Sequence, residues 1–364
     1  MNLDYLNKNF YIRGSNQGTI KLGPTVIADG FIESSEESEE HHFISHAHID
    51  HFRKSRIKKT WDLEKPIIAT APTLKLLEAY DINTSFNHQL VKTQNHGEII
   101  TYDSGTRVRL LENNHILGSV QIEVEYEGQR FGYSGDFGEN IDEYIDVDYL
   151  IMDATYAGHP VKKSWTRDDC LEELTERIHD ASQSGPVNIC GTSGLLNEIA
   201  GFLGENGFWD DYKNVLGNKR VKHWCNVYGE YGYKQPTIIT DDYEIDAYNE
   251  ILSSKKYIQL VNRRNDFKRS VPDGTTFWIE NRNINSEEPI TQNNNHDKWY
   301  DVRLTSHAFA DDIFSYVRNV NPKYIITDAS RSETTAIELE KKLKQNFADI
   351  KIISSNLIDA EKVK

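Results

Sequence analysis

The six consecutive residues His46-Ala47-His48-Ile49-Asp50-His51 restrict what this chain can become more than any other feature. Imidazole and carboxylate groups together suit Zn²⁺ and similar divalent ions. Four such groups in so short a stretch cannot all reach one ion from a regular strand or helix. His46 and His48 project to one side of an extended segment, whereas Asp50 and His51, past a turn, reach towards a second ion nearby. The spacing therefore predicts two neighbouring metals, delivered by the apolar, strand-like run HHFIS that precedes them. Further ligands are needed, and the chain offers them in order: His115 in ENNHILGS, after RVRLLEN, and Asp136 in YSGDFG, after QRFGY. A strand-end His or a Gly-Asp turn met alone is usually structural. Behind HxHxDH, polar residues that end successive strands make a constellation.

Hydrophobic residues at 38% permit a sizeable core in 364 residues. Up to about residue 155 short strands dominate: PTVIADGF, HHFISH, PIIAT, RVRLLEN, VQIEVEYE, QRFGYSGD and DYLIMDA are β-branched and aromatic runs bounded by Gly, Asn or Asp. Cys170 to Ser182 has helical spacing, GPVNICG reads as a buried strand and Leu195 to Leu203 as a helix. From Gly204 to about Asp297 the chain reads as polar, aromatic-rich and irregular, with TQNNNHD as a surface loop. A strand (YDVRLTS), a helix (Asp311 to Val320), a strand (KYIITDA), a helix (Thr334 to Gln345) and a last strand (IKIISS) follow. Strands alternating with helices only in places predict a layered α/β fold with an insertion.

Forty-one Lys and Arg against 57 Asp and Glu leave a net charge of −16, which argues mildly against a protein coated in nucleic acid. It does not exclude a nuclease, because bound cations would offset Asp50, Asp136 and Asp328. The acidic run Ser34 to Glu40 reads as a solvated loop. No stretch approaches the roughly 18 apolar residues of a membrane span. The N-terminal residues lack a signal-like apolar run, and Cys170, Cys190 and Cys225 are odd in number with no CxxC. A cytoplasmic protein is the simplest expectation.

HAHIDH, then HILGS, then YSGDF resembles the successive motifs of the metallo-β-lactamase superfamily. The resemblance implies that His46, His48 and His115 hold one metal, that Asp50 and His51 hold the other, and that Asp136 bridges the pair. Three more segments resemble the β-CASP nuclease branch. They are PIIATAPTLKLL, YLIMDATYAGHP and RLTSHAFADDIFSYVRNVNPKYIITDAS, the last two implying functional roles for Asp153 and His307. The implied architecture is a four-layer αββα sandwich (residues 1–164 and 301–364) with an inserted β-CASP-like α/β cap (165–300). Two departures stand out. The last strand ends in Asp328, where the RNA enzymes of the family carry His, so the second metal is expected on a carboxylate instead. Gly194-Leu195-Leu196-Asn197-Glu198 lacks the basic residue often found after the preceding strand.

The resemblance implies a nuclease in which two cations about 3.5–4 Å apart activate a water and neutralise charge on the attacked phosphate. Zn²⁺ is the expected metal, with Mn²⁺ as an option. Asp50 would also orient the nucleophile, Asp153 would fix a liganding His through its free ring nitrogen, and His307 would donate to a phosphate or leaving oxygen. Phosphate-binding candidates are Arg53, Lys54 and Arg56, just after the metal motif, and Arg263, Arg264 and Lys268, beside Tyr257 and Phe267. Similarity of HILGSVQIEVEYEG and YSGDFG to ligase-associated, Artemis-related enzymes favours a DNA exonuclease in DNA repair. The alternatives are an RNA-processing nuclease, a small-molecule metallohydrolase and a non-catalytic nucleic-acid-binding member. Nucleic acid is the expected partner, no membrane is involved, and protein partners are left open.

Overall fold

In the strand Tyr149–Met152 the side chains of Leu150 and Met152 point one way and that of Ile151 the other, and all three are buried. A strand apolar on both faces needs cover on both. The computed structural model describes residues 8–13, 18–31, 39–82, 90–155, 165–262, 273–279 and 287–356, and it shows where that cover comes from. The chain divides into two compact units, residues 1–160 with 306–364, and residues 161–305.

The first unit holds two sheets. Six strands pair in chain order: Phe10–Arg13, Thr19–Leu22, Val26–Ala28, His41–Phe43, Ile67–Ala69 and Val91–Thr93. The second sheet runs Lys351–Ser354, Tyr324–Thr327, Tyr149–Met152, Gln129–Tyr133, Val120–Tyr126, Arg107–Glu112, Ile99–Thr101. Its first four strands are parallel and the rest antiparallel. The period of two assigns side chains to layers. Ile151 and Ile326 meet Leu22, Val26, Phe43 and Ile68 of the other sheet. Their neighbours Leu150, Met152 and Ile325 pack on Ile313, Tyr316, Val317, Ala336 and Leu339 of helices Ala310–Val320 and Glu333–Asn346. Helix Lys54–Asp62 packs on the first sheet at Ile67–Ala69 and buries Ile57 and Thr60. Helix, sheet, sheet, helix is the expected four-layer order.

The second unit is a seven-stranded sheet in the order Ile238–Ile239, Val215–Leu216, Ile258–Asn262, Val187–Gly191, Thr275–Ile279, Trp299–Val302, Ile290–Gln292. All but the last pairing are parallel, and the core includes Leu174, Ile178, Ile189, Leu196, Ile199 and Phe277. The irregular region expected from Gly204 to Asp297 is a correction. It contains helices Lys219–Glu230 and Ile245–Ser254 and five of these strands. Two causes hid them. Helix Lys219–Glu230 buries Val221, Trp224, Cys225 and Tyr228, a helical stripe written in aromatics and cysteine, not leucine. Two of the strands are only two residues long. The Asn-rich stretch is an exposed hairpin turn between Ile290–Gln292 and Trp299–Val302. Among the described residues, no helix is long and apolar enough to cross a membrane, and all three cysteines are buried and outside any disulfide.

Candidate metal centre

Strand His41–Phe43 delivers the HxHxDH loop from between its two parallel neighbours. Both sheets hold the loop: Ile44 N donates to Ile68 O (3.0 Å), and Ser45 O accepts from Val120 N (3.0 Å). The chain then turns, with His51 N donating to His48 O at 3.0 Å and Gly30 N to His51 O at 2.9 Å. Ala47, fully buried, packs inward while His46 and His48 share a side, as a period of two requires.

His46 Nε2 and His115 Nε2 each lie 3.1 Å from His48 Nδ1. His115 donates its other nitrogen, Nδ1–H, to Ser306 O at 2.8 Å, so Nε2 is left with a lone pair. Burial holds His46 and His115 well below the usual imidazole range. Three imidazole nitrogens facing one another cannot satisfy each other, since a neutral ring carries a single N–H. A divalent cation satisfies all of them at once. Asp136, whose Oδ2 lies 3.8 Å from His46 Nε2, is buried with Oδ1 lacking a hydrogen-bond partner among the described residues. The donor set therefore fits a divalent ion. Overlapping groups of donors, His46–His48–His115, His46–His51–Asp136 and His115–Asp136–His307, each lie within 4.8 Å.

Two devices set this geometry. Gly118, with φ of +81°, closes the His115 turn, and its carbonyl accepts from Thr70 Oγ1 (2.7 Å) and Thr73 Oγ1 (2.9 Å). A Cβ there would sit 2.7 Å from Thr70 Oγ1 and from Pro72 Cγ. The ATAPT segment thus serves the metal centre by seating His115. On the other side, Asn113 Nδ2 donates to Ser134 O (2.9 Å) and Asp136 O (2.8 Å), and Gly135 at φ +60° leaves no room for a Cβ beside Val120 O.

The rest of the loop has a different setting. His51 Nε2 faces Asp136 Oδ2 at 3.0 Å, and its Nδ1 faces Asp29 Oδ2 at 2.7 Å. Burial and the Arg331 guanidinium oppose protonation of His51, but Asp136 and Asp29 prevail and push it up to about 10. Burial presses the Asp136 carboxyl upward, and His51 and Arg331 overcome it to hold the group well below the usual range. Asp50 is lowered by His51 and His48 against the opposing effect of burial. Arg331 Nη2 lies 2.9 Å from His51 Nδ1, Nη1 donates to Asp328 Oδ2 at 2.6 Å, and Nε lies 3.7 Å from Asp50 Oδ2. The other Asp328 oxygen accepts from Ser330 N at 2.7 Å. Asp50 and Asp328 belong to none of the donor groups found among the described residues.

Asp153, expected to fix a liganding His through its free ring nitrogen, accepts from Nδ1–H of His307 (3.1 Å), a member of the donor group His115–Asp136–His307, and its Oδ1 accepts from Thr155 N (2.7 Å) and Oγ1 (2.6 Å). Burial lowers the affinity of His307 for a proton, yet the bond to Asp153 wins and the net shift is upward. The His307 ring lies 4.5 Å from that of His115. The carboxylate that does seat a loop histidine is Asp29, which also accepts from Ser45 N (2.9 Å) and Tyr133 OH (3.1 Å). Asp29 and Arg331 are the residues sequence reasoning passed over. A polar Asp-Gly end to the apolar run VIADG was the available signal for Asp29.

Of the phosphate-binding candidates, Arg56 turns inward: Nη1 donates to Phe31 O (2.9 Å), Thr19 Oγ1 (3.3 Å) and Gly30 O, bracing the turn that carries Asp29. Lys54 Nζ lies 3.4 Å from Asp81 Oδ2, and Arg53 is half-buried just before helix Lys54–Asp62. Arg263, Arg264 and Lys268 lie outside the described residues.

None of the protein-family models compared matches the chain. Sequence relatives do exist. The chain is 26% identical to an RNase J-like protein of Methanocaldococcus jannaschii over 39% of its own length and 37% of the relative. It is 24% identical to the endoribonuclease YSH1 of Candida glabrata over 49% of this chain and 27% of that one. Identity is 26% to the transcription termination factor FttA of Methanothermobacter thermautotrophicus, over 39% of this chain and 27% of that one. The matched parts thus span well under half of these relatives. A crystal structure of a protein of unknown function from Enterococcus faecalis shares the fold, with a TM-score of 0.60, 11% identity, and 95% and 96% of the two chains covered.

Proposed function

We propose that this chain, whose relatives are β-CASP metallo-β-lactamase nucleases, is a metal-dependent hydrolase of phosphodiester bonds in nucleic acid. The observation that carries the reading is the trio of mutually facing imidazoles, His46, His48 and His115, with the orphaned Asp136 oxygen beside it. Zn²⁺ suits such a nitrogen-rich set, and Mn²⁺ is a workable substitute. A bound divalent ion would supply a water of lowered pKa and neutralise charge on the attacked phosphate. Asp50, kept anionic and 38% exposed at its side chain, accepts a hydrogen bond from the attacking water and orients it. His307, held through Nδ1 by Asp153 and with its proton affinity raised, presents Nε2–H to the leaving oxygen.

The names of two relatives, an RNase J-like protein and an endoribonuclease, favour RNA as the substrate. The expectation of a DNA exonuclease acting in repair rested on the missing strand-end His and on local similarity, and these relatives lend it no support. Single-stranded RNA is therefore the first substrate we propose. Residues 161–305 are read as the β-CASP-like cap of a cytoplasmic enzyme, with Arg263, Arg264 and Lys268 of its sequence kept as phosphate-binding candidates.

Labelled single-stranded RNA, single-stranded DNA and duplex DNA, incubated with the full chain and Mn²⁺ or Zn²⁺, test this reading. RNA cleavage that stops with a chelator and in His115→Ala is expected. Cleavage of DNA alone would restore the DNA assignment. Equal cleavage by His115→Ala would mark a contaminant and sink the nuclease reading.

A further inference from the structure

The expected second ion would have three residues mainly to itself, Asp50, His51 and Asp328, with Asp136 shared between the pair. In this chain one guanidinium touches all three. Arg331 bonds Asp328 Oδ2 at 2.6 Å, lies 2.9 Å from His51 Nδ1, and brings Nε to 3.7 Å from Asp50 Oδ2. Its side chain is 14% exposed, and Nε is a buried donor without a hydrogen-bond partner among the described residues. The other oxygen of Asp328 already caps the turn through Ser330 N. A guanidinium carries only donors and a permanent charge, so it neutralises carboxylates while offering nothing to a metal. The donor group without a carboxylate is His46, His48 and His115, whereas His51, with Arg331 at its Nδ1, keeps Nε2 in a group with His46 and Asp136.

We infer that the centre holds a single divalent ion, on His46, His48 and His115, and that the guanidinium of Arg331 occupies the place of the second. The inference rests on the metal-centre reading above. It departs from the two-ion expectation for a stated reason: Asp328, Asp50 and His51 are engaged by a fixed side-chain cation. In this arrangement Arg331 supplies positive charge beside the reacting phosphate but cannot lower the pKa of a water, which only an ion held by His46, His48 and His115 would do.

The test is metal stoichiometry. The full chain is stripped with chelator, reloaded with Mn²⁺ or Zn²⁺ and measured by plasma mass spectrometry. One equivalent is expected on the wild type and two on Arg331→Met, which keeps bulk and removes charge. Two equivalents on the wild type, or one on both proteins, overturns the inference alone. None on either protein overturns it together with the metal reading beneath it. Electron paramagnetic resonance of the Mn²⁺-loaded wild type needs no variant to fold. An isolated six-line spectrum supports the single ion, and the signature of an exchange-coupled pair rejects it.

Discussion

The HxHxDH loop feeds two halves of one pocket that balance their charge in different ways. In the first half, the Nε2 atoms of His46 and His115 each face His48 Nδ1 at 3.1 Å, a set that a divalent ion would match. In the second, Asp50, His51, Asp328 and Asp29 gather around Arg331, and the protein supplies its own cation. Residue types alone do not separate the halves, since each is rich in groups that bind metals. The difference lies in whether a basic side chain reaches the donors before an ion can. A ligand-like residue marks a metal position only if its lone pairs have no other partner.

The sharpest way to break this contrast is to remove one histidine from each half. His46→Ala is expected to weaken Zn²⁺ or Mn²⁺ binding by more than the roughly 10–100-fold that loss of a supporting partner costs. His51→Ala is expected to keep the ion. Titration calorimetry on stripped protein reads both, and equal losses would erase the distinction. A smaller effect is expected for Asp29→Asn, which removes the carboxylate that binds Ser45 N and faces His51 Nδ1. Cleavage should slow by about 10–100-fold while metal content holds. A parallel fall in metal content would show that Asp29 serves the first half as well. The smallest effect is expected at Gly118→Ala. The added methyl meets Thr70 and Pro72, and the left-handed backbone at that position disfavours a side chain. A loss of about 1–3 kcal/mol of stability is expected in denaturant unfolding. Full stability there would mean that the threonine clamp on the His115 turn yields easily.

Much of the first half was legible because its residues are rare types set close together at the ends of apolar strands. His46, His48, His115 and Asp136 could be named from spacing and from the resemblance it brought to light. The pairing of the second half with Arg331 was not legible, for a physical reason. Asp328 looks the same in sequence whether it binds a metal or an arginine, and its partner Arg331 sits in the unremarkable turn ASRS. Asp153 and His307 were both singled out, but their pairing across 154 positions had no local signature. The layered core could be read from strands of alternating pattern. Helix Lys219–Glu230 could not, because Trp224, Cys225 and Tyr228 carry its buried face where leucines would have made the period plain.

The placement of Arg331 also bears on how the pocket behaves when metal is scarce. An ion exchanges with the medium and leaves when its concentration falls, whereas a guanidinium is tethered and keeps its charge at any pH a cell meets. Asp50 and Asp328 therefore stay matched by a cation that chelators cannot withdraw. Starvation for metal would silence such a pocket without baring its acids to one another, leaving an emptied centre electrically prepared to reload.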